Sequence, residues 1–393
     1  MTTIRSAQCV RCPPRWLLLR VETDDGLIGW GEAIGDLHEE VENALNALGE
    51  RVEGSDIHDI THTIQVQRKS RFWRDGPVLE TALSALEMAM WDLKGQEFGA
   101  PIHEFLGGRV RDRVRVYRNL WGRNAAEFAD SAREAVARTM DAVKVSPAGP
   151  TAGVVSAEGL REIVEIVSEV RDAIGPNVDL AIDLHGRLTP AASRRAVHAL
   201  APFDPFFIEE PCLPDGSASH LADLRALRTA QPVAIATGER LRTAYSFAEH
   251  LLPTPVVDII QPDISMVGGI RATVEIGAMA SAAQVSMAPH CPYGPVQFAA
   301  SIQVAATTPS HLIQEFQSLG GAGSGGGTPG GGQHWAFNLI QRPFEIHQGH
   351  VDVPNGPGLD IQINEDIIEE HMDQWNPHPP TVWTLPDGSH AEW

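Results

Sequence analysis

Between residues 180 and 316 the chain reads LAIDLH (180–185), FFIEEP (206–211), VAIATGE (233–239), VVDIIQPD (256–263), VSMAPH (285–290) and LIQEF (312–316). Each segment is apolar, rich in β-branched residues and as long as a buried strand. Each stops at a side chain that can bind a metal or move a proton: Asp183 with His185, Glu209, Glu239, Asp263, His290 and Glu315. Successive ends lie 24 to 30 residues apart, room for one helix, one strand and two loops. In a parallel (β/α) barrel the strands run the same way and their C-terminal ends meet at one mouth. The pattern therefore predicts an α/β barrel whose acids and histidines converge from six strands.

Upstream, VRVYRN (114–119) and AVKVS (142–146) read as the first two strands, with helices at about 125–140 and 156–174, which makes eight strands in all. Before them, WLLLRVET (16–23), the turn DDG and LIGWGE (27–32) form a hairpin. Helical patterns follow at about 38–52 and 79–97, the second ending near Gly99 and Pro101. Strands followed by helices indicate a separate α+β unit over 1–113, then the barrel over 114–340. The alternation stops beyond about 340, and 341–393 is expected to return to the N-terminal unit. LGGAGSGGGTPGGG (319–332) reads as a flexible linker or loop over the mouth, either a mobile lid or a disordered stretch; without GK[ST] or a preceding fingerprint, a phosphate cradle is disfavoured.

A length of 393 residues suits about two domains. The net charge of −21 excludes a nucleic-acid binder, which needs clustered Lys and Arg, and disfavours an anionic membrane surface. No stretch has the roughly 18 apolar residues of a membrane span, and MTTIRSAQCV lacks a signal-peptide core. Cys9 and Cys12 form a single CxxC without a second pair, so they read as small residues of a strand. Few cysteines and no export signal point to the cytoplasm.

Asp183, Glu209 and Glu239 close three consecutive strands. One such acid alone would more often cap a helix, but three anions gathered at one mouth need a cation between them. An all-oxygen site with open positions suits Mg²⁺. Asp263 and His290 end the next two strands, and a carboxylate beside an imidazole fixes its tautomer and raises its basicity. His290 is therefore a candidate base. His185, two residues past Asp183, points to the same side and suits either a ligand or a general acid. Lys144 can pair with a substrate carboxylate or an enolate oxygen. Glu315, if protonated, can donate to that enolate, and Arg187 is placed to pair with nearby carboxylates.

The ordered set PPRW (13–16), GLIGWGE (26–32), FWRDGP (72–77), DLHGR (183–187), FIEEP (207–211), GER (238–240), QPDISMVGGI (261–270), APHCPYGP (288–295), QEFQSLG (314–320) and DGSHAEW (387–393) resembles the enolase superfamily, in particular the mandelate racemase group and its galactonate dehydratase-like sugar-acid dehydratases. The resemblance implies a modified (β/α)₇β TIM barrel under a capping domain built from the N-terminal region and the C-terminal tail. It implies one Mg²⁺ on Asp183, Glu209 and Glu239, His290 with Asp263 as base, His185 as acid and Glu315 beside the enolate. It further implies substrate contacts from Arg15, Trp16, Arg187 and Ser146, a small sugar-acid substrate and a homo-oligomer. The expected reaction removes the C2 proton and the C3 hydroxyl to give a 2-keto-3-deoxy acid from a galactonate- or gluconate-like acid.

Two positions depart from the pattern. Racemases of the superfamily carry KxK on the second strand, whereas Lys144-Val145-Ser146 puts a serine where the second base would stand. After Glu32 the run AIGDLHEEVENAL lacks the arginine-bearing loop of galactonate dehydratases. A different acid sugar, or little activity, is therefore the alternative within the superfamily. A histidine-ligated hydrolase barrel fits the carboxylate ends poorly. A non-catalytic barrel would be expected to have lost a ligand, acid or base.

Overall fold

In the computed structural model, which describes residues 2–149, 154–213, 218–230, 232–316, 339–377, 382–385 and 387–391, the chain opens on an antiparallel sheet. Its strands are β1 (Ile4–Cys12), β2 (Trp16–Thr23) and β3 (Ile28–Ala33). Cys9 and Cys12 lie in β1 as free thiols. Helices α1 (His38–Val52), α2 (Ile60–Lys69), α3 (Pro77–Phe98) and α4 (Ile102–Phe105) follow. α3 starts with Pro77, which needs no N–H partner in a first turn, and ends at Gly99 with φ 64°. α2 escapes a reading by periodicity because it buries only Ile60, Thr63 and Ile64.

From there strand and helix alternate: β4 (Arg113–Asn119), α5 (Ala125–Ala137), β5 (Ala142–Val145), α6 (Ala157–Ile174), β6 (Asp179–Asp183), α7 (Pro190–Leu200), β7 (Phe207–Glu209) and α8 (Ala218–Ala230). Then come β8 (Ile235–Thr237), α9 (Ala244–Leu251), β9 (Ile259–Ile260), α10 (Gly269–Ala283), β10 (Ser286–Met287), α11 (Pro295–Thr307) and β11 (Gln314–Phe316). α5 stops short of the expected 140 because Thr139 takes φ 61°. The strands pair in parallel from β4 through β10, and β11 returns to β4. The gap between β10 and β11 is closed by a parallel bridge, Met287 to His311, with Leu312 N–H donating to Met287 O at 2.8 Å. Eight strands and seven crossover helices make the (β/α)₇β barrel the sequence predicts.

One residue from each strand line packs into a buried apolar layer: Tyr117, Ala142, Ala181, Phe207, Ala236, Ile259, Ala288 and Ile313. Side chains two positions on share the same face. The next layer toward the mouth is therefore Asn119, Lys144, Asp183, Glu209, Gly238, Gln261, His290 and Glu315. An apolar floor under a polar ring explains why each strand ends where its chemistry begins.

The tail divides its contacts. β12 (His350–Asp352) adds antiparallel to β4, so this part joins the barrel and not the N-terminal unit. Asn376 N–H donates to Pro14 O at 2.8 Å, and Trp375 lies edge-on to His38, which ties the tail to the N-terminal unit. A short hairpin, β13 (Trp383–Thr384) with β14 (His390–Ala391), reaches the barrel mouth, where Trp383 stacks on Arg187. The glycine-rich stretch 319–332 lies outside the described residues.

Candidate active site

Asp183 and Glu209 end β6 and β7, and Glu239 follows β8. One carboxylate oxygen from each lies within 4.8 Å of the other two. Asp183 and Glu209 are buried. Lys144, also buried, sits under them: its Nζ is 2.9 and 3.0 Å from the Glu209 oxygens, 3.1 Å from Glu315 Oε1 and 3.7 Å from Asp183 Oδ2. Burial disfavours its charge, but these acids outweigh that and raise its pKa well above the usual value. Burial, and then the charges of Asp183, Glu239 and Glu315, still raise the Glu209 pKa well above its usual value against Lys144, as expected where acids crowd with too little positive charge between them. Three converging hard oxygens with this excess of negative charge fit a divalent cation.

Two imidazoles flank the triad. His185 Nε2 lies 3.0 Å from Asp183 Oδ2, and His290 Nε2 lies 3.4 Å from Glu239 Oε2. His185 has φ 53°, which turns its backbone N–H onto Asp183 Oδ1 at 2.7 Å. Burial pushes its pKa down while Asp183 and Glu239 pull it up, and burial prevails. His290 Nδ1 is 2.8 Å from Asp263 Oδ2. Burial again opposes charge there, yet the Asp263 hydrogen bond and the Glu239 and Glu315 charges raise its pKa to about 10.

Glu315 accepts from Asn119 Nδ2 at 2.7 Å, from Cys291 N–H at 2.7 Å and from Lys144. Burial raises its pKa, but these donors and His290 bring it down to about 2. The protonated Glu315 that the sequence suggests as a donor is therefore corrected: ringed by donors, it is held as a carboxylate.

The remaining expected residues lie farther from the triad. Arg187 donates to Ala148 O and lies 4.4 Å over the Trp383 ring; burial lowers its pKa to about 10. Ser146 follows β5 and is half-buried. Trp16 opens β2, is 3% exposed and packs against Gly294 in the core. Arg15 is half-buried in the turn before it, with its carbonyl against Gly35.

Sequence reasoning missed the groups that hold the histidine–aspartate pair. Gln297 Nε2 donates to Asp263 Oδ1 at 2.7 Å, and Gln297 Oε1 accepts from Tyr293 N–H at 3.1 Å. Gln297 rides on the first turn of α11, whose N-terminus is clamped by Glu32 from β3. Gly294 N–H, Val296 N–H (3.1 Å) and Gln297 N–H (2.9 Å) all donate to that carboxylate. Tyr293 Oη donates to Asp36 Oδ2 at 2.7 Å, so the loop after β3 touches the segment after His290. Sequence reasoning also missed Asn119, the donor to Glu315, which had a legible signal, since it ends the first strand just as Lys144 ends the second.

Residues 127–367 match the enolase C-terminal domain-like family model, and residues 4–107 match the mandelate racemase / muconate lactonizing enzyme N-terminal domain. The chain belongs to the mandelate racemase/muconate lactonizing enzyme family of the enolase superfamily. A member named D-gluconate dehydratase from Thermoproteus tenax is 37% identical over 370 residues, covering 91% of this chain and 70% of its own. The D-galactonate dehydratase of Pectobacterium atrosepticum is 33% identical over 384 residues, covering 98% of both. Among solved structures, an enolase from Agrobacterium radiobacter with sodium and L-malate bound superposes with a TM-score of 0.87 at 27% identity, covering 99% of both chains.

Proposed function

We propose that the protein is a Mg²⁺-dependent sugar-acid dehydratase acting on a galactonate- or gluconate-like aldonate. The observation that carries this reading is the pair of imidazoles on opposite ligands of one carboxylate triad, His185 at Asp183 and His290 at Glu239. The full-length likeness to D-gluconate and D-galactonate dehydratases supports it. So does the L-malate, a 2-hydroxy acid, named with the Agrobacterium radiobacter structure.

Asp183, Glu209 and Glu239 would hold the metal, which when bound neutralises the substrate carboxylate and so acidifies the C2 proton. Glu239 is one of the acids that hold His290 as an imidazolium, and with its charge offset as a metal ligand His290 Nε2 is free to take that proton. Asp263 holds Nδ1–H, fixes the tautomer and balances the imidazolium that forms. Lys144 offers its ammonium to the charge that develops on the carboxylate oxygens. Asp183, 3.0 Å from His185 Nε2, supplies the charge that favours the imidazolium which burial opposes, and in that form His185 gives a proton to the C3 hydroxyl, which leaves as water. The resulting enol ketonises at C2 and takes a proton at C3, giving the 2-keto-3-deoxy acid. Ser146 carries no basic group where a second base would stand, which favours elimination over two-base racemisation.

In this reading residues 1–113 and the tail beyond β12 cap the mouth, residues 114–340 carry the chemistry, and Arg15, Trp16, Arg187 and Ser146 shape the substrate end. Self-association and a cytoplasmic setting belong to the same proposal; sedimentation of the purified protein checks the first. No helix of the described residues is long and apolar enough to cross a membrane.

The test is turnover of aldonic and aldaric acids with Mg²⁺, read as 2-keto-3-deoxy acid by semicarbazide. Removing a general base typically costs about 10²–10⁴-fold. His290→Asn should therefore abolish detectable product while Mg²⁺ still binds. Product formation that survives the substitution would remove His290 from the role.

A further inference from the structure

The polar ring of the barrel holds two amides, Asn119 and Gln261, and the mechanism leaves both unused. Gln261 follows β9 and stands between Gly238 and His290 in the ring. Ile259, two residues earlier, belongs to the apolar floor, and Ile260 packs in the outer core. Alternation therefore turns the Gln261 side chain inward with the ring. It is fully buried at 0% exposure, and neither Nε2 nor Oε1 has a hydrogen-bond partner among the described residues. Its backbone is well held, with N–H donating to Thr237 O at 2.9 Å.

A buried amide with both ends unmet costs stability, and an apolar residue of similar size would avoid that cost. The other polar side chains of the ring differ. Lys144, Asp183, Glu209, His290 and Glu315 are engaged with one another or with Asp263, and Asn119 donates to Glu315 through Nδ2 with only its Oδ1 unmet, so among the described residues Gln261 is the ring amide with both ends unmet. Gly238 beside it has φ 141°, and a Cβ there would stand 2.8 Å from Gln261 N, so no side chain from β8 covers this part of the ring.

The geometry points to Gln261 as a substrate-binding, specificity-determining residue that receives hydroxyl groups of the acid beside its reacting carbons. This rests on the dehydratase reading above. An amide presents a donor and an acceptor side by side, the complement of neighbouring hydroxyls, each of which can accept and donate. A site built to hydrogen-bond a hydroxyl rejects the analogue that lacks it, because its polar group is then left unmet.

The experiment compares wild type with Gln261→Leu and Gln261→Glu, with Mg²⁺ present, by melting temperature and by kcat and KM on the acid wild type prefers. For Gln261→Leu the expected result is a melting temperature raised by about 1–3 °C, the shift that relief of one such group gives a protein of this size. KM should rise at least about tenfold with a smaller loss of kcat, the ratio expected when a polar contact to substrate is removed. Preference for the acid over its deoxy analogue should shrink in parallel. Gln261→Glu, which keeps an acceptor, should retain more of that preference than Gln261→Leu. A lowered melting temperature with unchanged KM would make Gln261 a structural amide met by buried water and overturn the inference. A raised melting temperature with unchanged KM would also overturn it. If wild type turns over no acid at all, the dehydratase reading fails. The inference, which rests on that reading, then falls with it, whereas turnover by wild type with an unchanged KM in Gln261→Leu overturns the inference alone.

Discussion

Lys144 carries the largest electrostatic responsibility of any single residue in the site. Its ammonium is the fixed positive charge among Asp183, Glu209 and Glu315, all buried. Removing one partner of a buried ionic group leaves uncompensated charge and costs about 3–5 kcal/mol. Lys144→Met should lose stability of that order in EDTA, and part of the loss should return on adding Mg²⁺. Urea unfolding in both conditions measures this, and an equal loss with and without metal would contradict it. From the sequence, Lys144 was legible as a cation at a strand end facing a substrate. Its bonds to Glu209 and Glu315 were not, because those acids lie 65 and 171 positions away in the chain. The same gap hid the charge of Glu315, whose surrounding donors come from β4, β5 and the segment after β10.

At the scale of elements, the helix starts explain how the N-terminal unit is fastened. Asn124, Ser156, Thr189 and Thr243 cap α5, α6, α7 and α9 with their own side chains. α10 and α11 start at Gly268 and Gly294, which have no side chain to cap with. Their first turns receive carboxylates from elsewhere: Glu87 of α3 accepts from Ile270 N–H at 2.7 Å and Arg271 N–H at 3.0 Å, and Glu32 of β3 clamps α11. Those carboxylates approach so closely that a Cβ at Gly269 would meet Glu87 at 2.1 Å and one at Gly294 would meet Glu32 at 2.5 Å. This gives a physical reason for the glycines of QPDISMVGGI and APHCPYGP. The motifs were visible in the sequence, but their glycines could not be assigned to a carboxylate more than 180 residues away.

Burial raises the Glu32 pKa to about 8, against the three backbone donors and with the Asp263 charge adding to the rise. A carboxyl raised this way contributes stability that is fully present below its ordinary pKa and is lost as pH climbs through about 8. Glu32→Gln, neutral throughout, lacks that loss. The stability advantage of wild type over Glu32→Gln should therefore be larger at about pH 5 than at about pH 8. The advantage should shrink by up to about 1.4 kcal/mol for each pH unit climbed between those two values. Denaturant midpoints of both proteins at the two pH values test the sign, and an advantage that grows with pH would contradict it.

Across the whole molecule, the order of chemistry-bearing strand ends was the most legible feature. A parallel barrel turns spacing along the chain into position around a ring, so Asp183, Glu209, Glu239, Asp263 and His290 could be placed from the chain alone. The tail was less legible, since its division between β4, the N-terminal unit and the mouth depends on surfaces the barrel creates. Gathering buried acids at one mouth also has a thermodynamic consequence. A cation that binds the folded triad and not the unfolded chain stabilises by mass action, about 2.7 kcal/mol at a hundredfold excess over its Kd. Mg²⁺ should raise the melting temperature of wild type, and Glu239→Gln should lose most of that rise. An equal rise in both proteins would place the metal elsewhere.

The most direct test of the proposed chemistry is NMR of the Mg²⁺-loaded protein turning over an aldonate in D₂O. Elimination with His290 as base and His185 as acid predicts a 2-keto-3-deoxy product with one solvent deuteron at C3, and none of it from His290→Asn. Deuterium at C2 of recovered substrate with inverted configuration, and no keto acid, would contradict dehydration and make the protein a C2 epimerase despite Ser146.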